Sequence, residues 1–219
     1  TQPSVVIGIT TKDDQDILAF DKQVTNAIDL LSSRNAYSNV AINNAAGFAP
    51  SISTQISSLQ KNLFEGLLIV AIVCLVFIGL RAGILASIGM LMTLSLTIGT
   101  LYIAGISLNT ISLFGLVLCL GLIVDDTIIM IEAIDAQRKQ KAPLREAIVT
   151  ATKKVALAST AGTLTTILGF APLLFISGIL GEFIRILPIT IIISLLISLI
   201  VSLFFIPFMS RWFLKSDIK

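Results

Sequence analysis

From about residue 62 onward the chain contains five long, predominantly apolar runs, near 62–80, 83–104, 109–134, 155–177 and 187–210. A helix needs roughly 20 apolar residues to cross a bilayer, so each run reads as a membrane span. The composition agrees. Hydrophobic residues make up 55% and charged residues 13%, against about 25% charged in an average soluble domain. The mean hydropathy is +0.97. A disordered chain, a nucleic-acid-binding domain and an ordinary soluble enzyme are excluded. A net charge of +2 gives no field that would recruit a polyanion. The chain has no histidine, the commonest metal ligand and general base. Its two cysteines, Cys74 and Cys119, lie inside apolar runs. Neither a disulfide framework nor a thiolate metal site is expected, and no cofactor.

The first 60 residues read differently, as soluble α/β. Val5-Val6-Ile7-Gly8-Ile9 is a short β-rich run. Asp13 or Asp14 offers an N-cap. Ile17, Phe20, Val24, Ile28 and Leu31 then recur at the period of an amphipathic helix. Asn35 is its expected stop, and Val40-Ala41-Ile42 reads as a second strand. A unit this small cannot bury a core alone. Farther on, Ile52, Ile56, Leu59 and Leu63 keep a helical period. The first span is therefore expected to start above the membrane and run into it.

Basic residues in the short connections set the orientation. Arg81, the group Arg138, Lys139, Lys141, Arg145, Lys153 and Lys154, and the tail residues Arg211, Lys215 and Lys219 all fall on one side. The opposite short loops hold only Arg185. The basic side is expected to be cytoplasmic, and residues 1–60 external. The chain begins at Thr1 without an initiator Met, a basic n-region or a signal-like segment. The expectation is a fragment of a longer polypeptide, lacking at least one earlier membrane helix.

The third run carries the main functional clue. Asn109 or Ser107 can cap it, and Asp125 and Asp126 sit near its middle, slightly toward the cytoplasm. One charged Asp at a helix centre costs about 2.5–3.5 kcal/mol on insertion scales. Two neighbours also repel each other, so at least one is expected to rest as a neutral, protonated carboxyl. A group that gains and loses charge as a partner or water arrives is a proton carrier. Adjacent helical residues point about 100° apart, so the two acids can address different neighbours. The alternative is a structural pair matched to basic groups elsewhere in a bundle. Glu132 lies seven positions past Asp125, nearer the interface.

The fourth run has a small, polar stripe of Ser159, Gly162, Thr163, Thr166 and Gly169. Such residues allow close helix approach and cross-helix hydrogen bonds. Thr163 and Thr166 are thus candidates for helix packing or for supporting a proton path to the aspartates. Pro172 is expected to kink the outer end. The fifth run carries Ser194, Ser198 and Ser202 at four-residue spacing, the pattern of a helix contact. Residues 135–154 read as a basic cytoplasmic linker with an amphipathic turn or helix from Pro143 through Ala151. Arg211-Trp212-Phe213-Leu214-Lys215 reads as an interfacial anchor.

At the aspartates the sequence resembles a known family. Ile106-Ser107-Leu108-Asn109-Thr110, Phe114-Gly115-Leu116-Val117-Leu118 and the run Gly121 through Glu132 are similar to the fourth transmembrane helix of resistance–nodulation–division (RND) transporters. Pro143 through Ala147, Thr163-Leu164, Pro172, Ser177-Gly178, Ile179 through Gly181, Ile206-Pro207 and Ser210-Arg211 look like the helices and loops that follow. The likeness covers residues 62–215 well, and residues 1–60 look more loosely like the end of a periplasmic porter subdomain. It implies a proton-driven exporter in the bacterial inner membrane. Its paired aspartates take protons from outside and release them to the cytoplasm, and the linked motion drives a trimeric pump. The partners it implies are protons, membrane lipid, hydrophobic or amphiphilic small molecules, a periplasmic adaptor and an outer-membrane channel. Two acids rather than one, and no methionine ladder, look like the hydrophobe/amphiphile branch rather than the heavy-metal branch. The family's relay also uses a lysine on a second half, which these spans do not contain.

The expected fold class is therefore mainly α: a polytopic bundle of five transmembrane helices with a small N-terminal α/β periplasmic segment. The expected divisions are 1–60 (porter-like), 61–134 (three spans), 135–154 (linker), 155–210 (two spans) and 211–219 (interfacial tail). An intramembrane aspartyl protease would place one Asp on each of two helices, one after Gly-x-Gly, whereas these acids share a helix and follow Ile123-Val124. A non-transporting membrane scaffold or protein-export accessory of similar architecture is the remaining alternative, and it would not need the acids.

Overall fold

The computed structural model describes residues 7–10, 17–33, 49–140 and 143–213. The chain divides into two compact units, Thr1–Ser57 and Ser58–Lys219. In the first, helix α1 spans Ile17–Ser32. Phe20, Val24 and Ile28 form its less exposed stripe, while Ile17 and Leu31, the two ends of the expected stripe, are exposed. Ile7–Thr10 form no strand, and no strand occurs among the described residues. Asp13, Asp14, Asn35 and the expected strand at 40–42 lie outside them.

Among the described residues, five helices are long and apolar enough to cross a membrane. Helix α2 spans Ala49–Phe77, and α3 spans Leu80–Ile103. Helix α4 spans Thr110–Lys139, and α5 spans Leu144–Phe170. A 3-10 segment, Ala171–Phe175, extends α5. The short α6 (Ile179–Ile184) leads into α7 (Ile186–Ile200). A π segment, Val201–Phe205, joins α7 to α8 (Ile206–Phe213), and the three make one span. The early start of α2 matches the helical period read from Ile52 onward.

Two boundaries differ from the sequence reading. Most of the stretch read as a linker is helical: α4 runs on through Lys139, and α5 already begins at Leu144. The amphipathic helix expected from Pro143 through Ala151 is the start of α5, where Ala147, Ile148, Ala151 and Val155 are buried at helical spacing. Asp135 and Lys139 form an i,i+4 pair at 2.9 Å on the last turns of α4. At Pro172 the chain tightens into the 3-10 segment, since proline has no N–H for an α-helical bond.

The cap of α4 is Asn109. Its Oδ1 accepts from the amides of Ile111 at 3.0 Å and Ser112 at 2.9 Å, while Ser112 Oγ accepts from the Asn109 amide at 2.9 Å. This reciprocal capping box fixes where the span starts. Helix α4 is then enclosed by α3, α5 and α7. Cys119, Ile123, Met130 and Ile131 are fully buried along it, in one core with Leu85 and Met90 of α3 and Ile191 and Leu195 of α7. Within this unit α2 contributes only Cys74 to the buried set. Leu63, Leu67 and Val70 are half-buried against the core, while Phe64, Leu68, Ile69, Ile72, Val73, Val76 and Phe77 are exposed, as a lipid-facing or partner-facing side requires.

The α2–α3 turn depends on glycine. Gly79 has φ 101°, a conformation that favours glycine. Gly83 then passes directly over α2: a Cβ there would lie 2.6 Å from Leu75 Cα. Backbone cannot move aside as a side-chain tip can. Gly83→Ala is therefore expected to destabilise the bundle by about 1–3 kcal/mol, the usual range for overpacking. Thermal unfolding in detergent, read by size-exclusion after heating, checks this; an unchanged midpoint would mean that α2 and α3 separate freely.

Candidate functional site

The two central acids of α4 have opposite surroundings. Asp126 is buried, with 8% exposure. Its Oδ1 accepts from Ser159 Oγ at 2.5 Å, and Thr163 Oγ1 lies 3.2 Å from its Oδ2. Both hydroxyls belong to α5 and are themselves buried. Four-residue spacing puts them on one face of that helix, one turn apart, which matches the two oxygens of a carboxyl. Asp125 points the other way. It is exposed on the surface of the bundle, and its carboxyl has no hydrogen-bond or ion-pair partner among the described residues. Glu132 is exposed as well.

The carboxyl–hydroxyl contact accommodates both protonation states. Thr163 Oγ1 also lies 2.9 Å from the Ser159 carbonyl. A hydroxyl has one proton to donate and two lone pairs to accept with. With Asp126 ionised, Thr163 can turn its proton to Oδ2. With Asp126 protonated at Oδ2, the carboxyl can donate to Thr163, which then donates to the Ser159 carbonyl. The heavy atoms need not move, because only the hydroxyl rotor turns. Without such partners a buried carboxyl would lose all its hydrogen bonds in hydrocarbon.

The α4 backbone beside the acid is also bonded across a helix interface. Ser202 Oγ donates to the Asp126 carbonyl at 2.7 Å, and Ser198 Oγ donates to the Ile123 carbonyl at 3.0 Å. Thr166 does not join the site: its hydroxyl donates within α5 to the Gly162 carbonyl at 3.0 Å. Of the four residues singled out in the sequence, the structure brings Asp126 and Thr163 together and leaves Asp125 and Thr166 apart from them. Ser159 was legible only as part of a packing stripe, and Ser198 and Ser202 only as a four-residue repeat. Their partners lie on other helices, which spacing along one helix does not identify.

A profile of the AcrB/AcrD/AcrF family matches residues 1–219. The chain belongs to that family. AcrB/AcrD/AcrF proteins are RND transporters, and the match takes in the two-acid helix with the rest of the chain. Among curated proteins, the multidrug resistance protein MdtC of Yersinia pestis (strain Angola) is 25% identical over 221 residues, covering 100% of this chain and 21% of the relative. MdtC of Yersinia pseudotuberculosis serotype O:1b (strain IP 31758) gives the same identity and coverage. The chain thus spans about a fifth of the length of the curated relatives it matches.

The hydroxyls of Ser159, Thr163 and Thr166 on α5 predict different responses. An interhelical hydrogen bond in a membrane protein contributes on average about 0.6 kcal/mol, and more when the acceptor is charged. Ser159→Ala is expected to cost about 1 kcal/mol or more, and Thr163→Val is expected to follow it. Thr166→Val, which removes a bond internal to α5, should stay within about 0.5 kcal/mol of the parent. Thermal-shift midpoints of the detergent-solubilised proteins give the comparison. Equal midpoints for the Ser159 and Thr166 variants would show that the Asp126 contact contributes no stability.

Proposed function

We propose that this chain is part of an exporter driven by the proton-motive force, and that Asp125 and Asp126 carry its protons. The observation that supports this best is Asp126 itself, a buried carboxyl on a membrane span with hydroxyl partners that suit either protonation state. An ionisable residue inside a membrane span is costly and is functional by default. Asp125 complements it: exposed beside Asp126, it is available to water or to a cation contributed from outside the five spans. In this reading protons enter from the external side, exchange on the acid pair and leave to the cytoplasm. Ser159 and Thr163 hold Asp126 through the cycle, and Thr166 supports the packing of α5.

Membership of the AcrB/AcrD/AcrF family, and relatives named multidrug resistance proteins, favour hydrophobic or amphiphilic small molecules as the exported compounds. The same membership favours a multi-pass protein of the bacterial inner membrane, working as a trimer with a periplasmic adaptor and an outer-membrane channel. The basic residues Arg81, Arg138, Lys139, Arg145 and Arg211 fall at one set of helix ends, and Lys153 and Lys154 lie in the same half of α5 as Arg145. That distribution favours the cytoplasm for those ends and for the C-terminus, and the periplasm for the N-terminal segment.

Asparagine separates the carrier role from the structural one, because it keeps an acceptor oxygen and the side-chain volume but cannot titrate. In the intact polypeptide, Asp125→Asn and Asp126→Asn are each expected to reduce drug efflux to the level of cells lacking the transporter, with normal amounts of protein in the membrane. Efflux assays on energised cells, beside quantitative blots, decide it. Undiminished export in either variant would overturn the assignment of that residue, and undiminished function in the double variant would favour a scaffold.

A further inference from the structure

The span α7–π–α8 carries four successive hydroxyl residues into the core, Thr190, Ser194, Ser198 and Ser202, all fully buried. They meet α4 in a regular register. Thr190 lies on Gly115, where a Cβ would come within 3.2 Å of its side chain. Ser194 meets Cys119. Ser198 bonds Ile123, 75 positions away. The two helices run in the same direction, and each contact advances four residues along both.

The next pair in that register is Thr127 with Ser202, and it does not form. Ser202 bonds the Asp126 carbonyl instead, 76 positions away, and Thr127 Oγ1 is left buried without a hydrogen-bond partner. The slip of one residue falls in the π segment, Val201–Phe205. Such segments alter helix register locally and occur often at functional sites.

The choice of acceptor is also unusual. A buried serine or threonine in a helix commonly donates to the carbonyl four residues before it. Thr190, Ser194 and Ser210 do so, to Ile186, Thr190 and Ile206. Ser198 and Ser202 instead donate across to α4, and their two acceptors bracket the turn that ends in Asp126. The carbonyl that Thr127 would use in its own helix, that of Ile123, is the one that receives Ser198. The interface forgoes a hydroxyl pair at Thr127 and bonds the backbone of the acid.

We propose that Ser198 and Ser202 are positioning residues for Asp126, and that the π segment sets the register in which Ser202 reaches it. The turn 123–126 of α4 is then held from two sides, by α7 through its carbonyls and by α5 through the Asp126 carboxyl. A rotation of α4 by one residue, about 100°, would take the carboxyl away from Ser159 and Thr163. The functional weight of this rests on the carrier role proposed for Asp126, whereas the positioning itself can be tested separately.

The test uses infrared spectra of the intact polypeptide in lipid at acid pH. The protonated Asp126 carboxyl band is assigned by its loss in Asp126→Asn. Ser202→Ala and Ser198→Ala are expected to shift that band to higher wavenumber, as its hydrogen bonds to α5 loosen, and to lower coupled export. Ser202→Thr, which keeps the hydroxyl, should restore the parental band. Ser210→Ala, whose bond is internal to α8, should leave it in place. A parental band in both alanine variants would overturn the proposal. If Ser202→Ala does not accumulate in the membrane, Ser198→Ala alone decides, by the same criterion. If Asp126→Asn exports normally while the alanine variants shift the band, the carrier role fails and the positioning stands. If Asp126→Asn is inactive and the band never shifts, the positioning alone fails.

Discussion

A carboxyl inside a membrane span must find its hydrogen bonds within the protein, because hydrocarbon offers none. In this chain Asp126 finds them on α5, through Ser159 and Thr163. That contact dictates much else. Helix α5 must present two hydroxyls one turn apart, and α4 must hold one rotational setting so that Asp126, and not its neighbour, faces them. It also explains why α4 is enclosed by three other helices. An acid on a helix at the edge of the bundle, such as α2, would be left to lipid.

The packing around α4 follows from small residues and hydroxyls rather than from bulk. Lipid tails are as apolar as leucine, so apolar burial drives helix association less in a membrane than in water. Close approach and hydrogen bonding take its place. Gly115 admits Thr190, Gly83 lets α3 cross α2 at backbone distance, and Ser198 and Ser202 reach α4 carbonyls. The same features leave α4 with few alternative settings, because side chains of different helices interlock along the whole seam with α7.

The acid pair is asymmetric, and the asymmetry comes from helix geometry. Consecutive residues on a helix point about 100° apart, so a neighbour that covers one acid leaves the other uncovered. The bundle buries Asp126 and leaves Asp125 on its outer surface. A pair built this way has one member fixed by its own fold and one available to water or to a group from beyond these spans.

Much of this was legible in the sequence. Five apolar runs of membrane length fixed the class of fold, since the length needed to cross hydrocarbon depends on composition alone. Asp125 and Asp126 stood out because charge is scarce where they occur, and Asn109 was visible as a cap from local chemistry. The amphipathic helix from Pro143 was legible too, but the continuation of α4 through residues 135–139 was not, because the apolar run ends before its charged residues. Which acid is buried, the partnership of Asp126 with Ser159 and Thr163, and the slip that sends Ser202 to the Asp126 carbonyl were decided by tertiary structure alone. Each depends on the rotation and register of one helix against another. The sequence of a single helix specifies which residues share a face, but the neighbour that meets that face, and at what height, is set by packing among all of them.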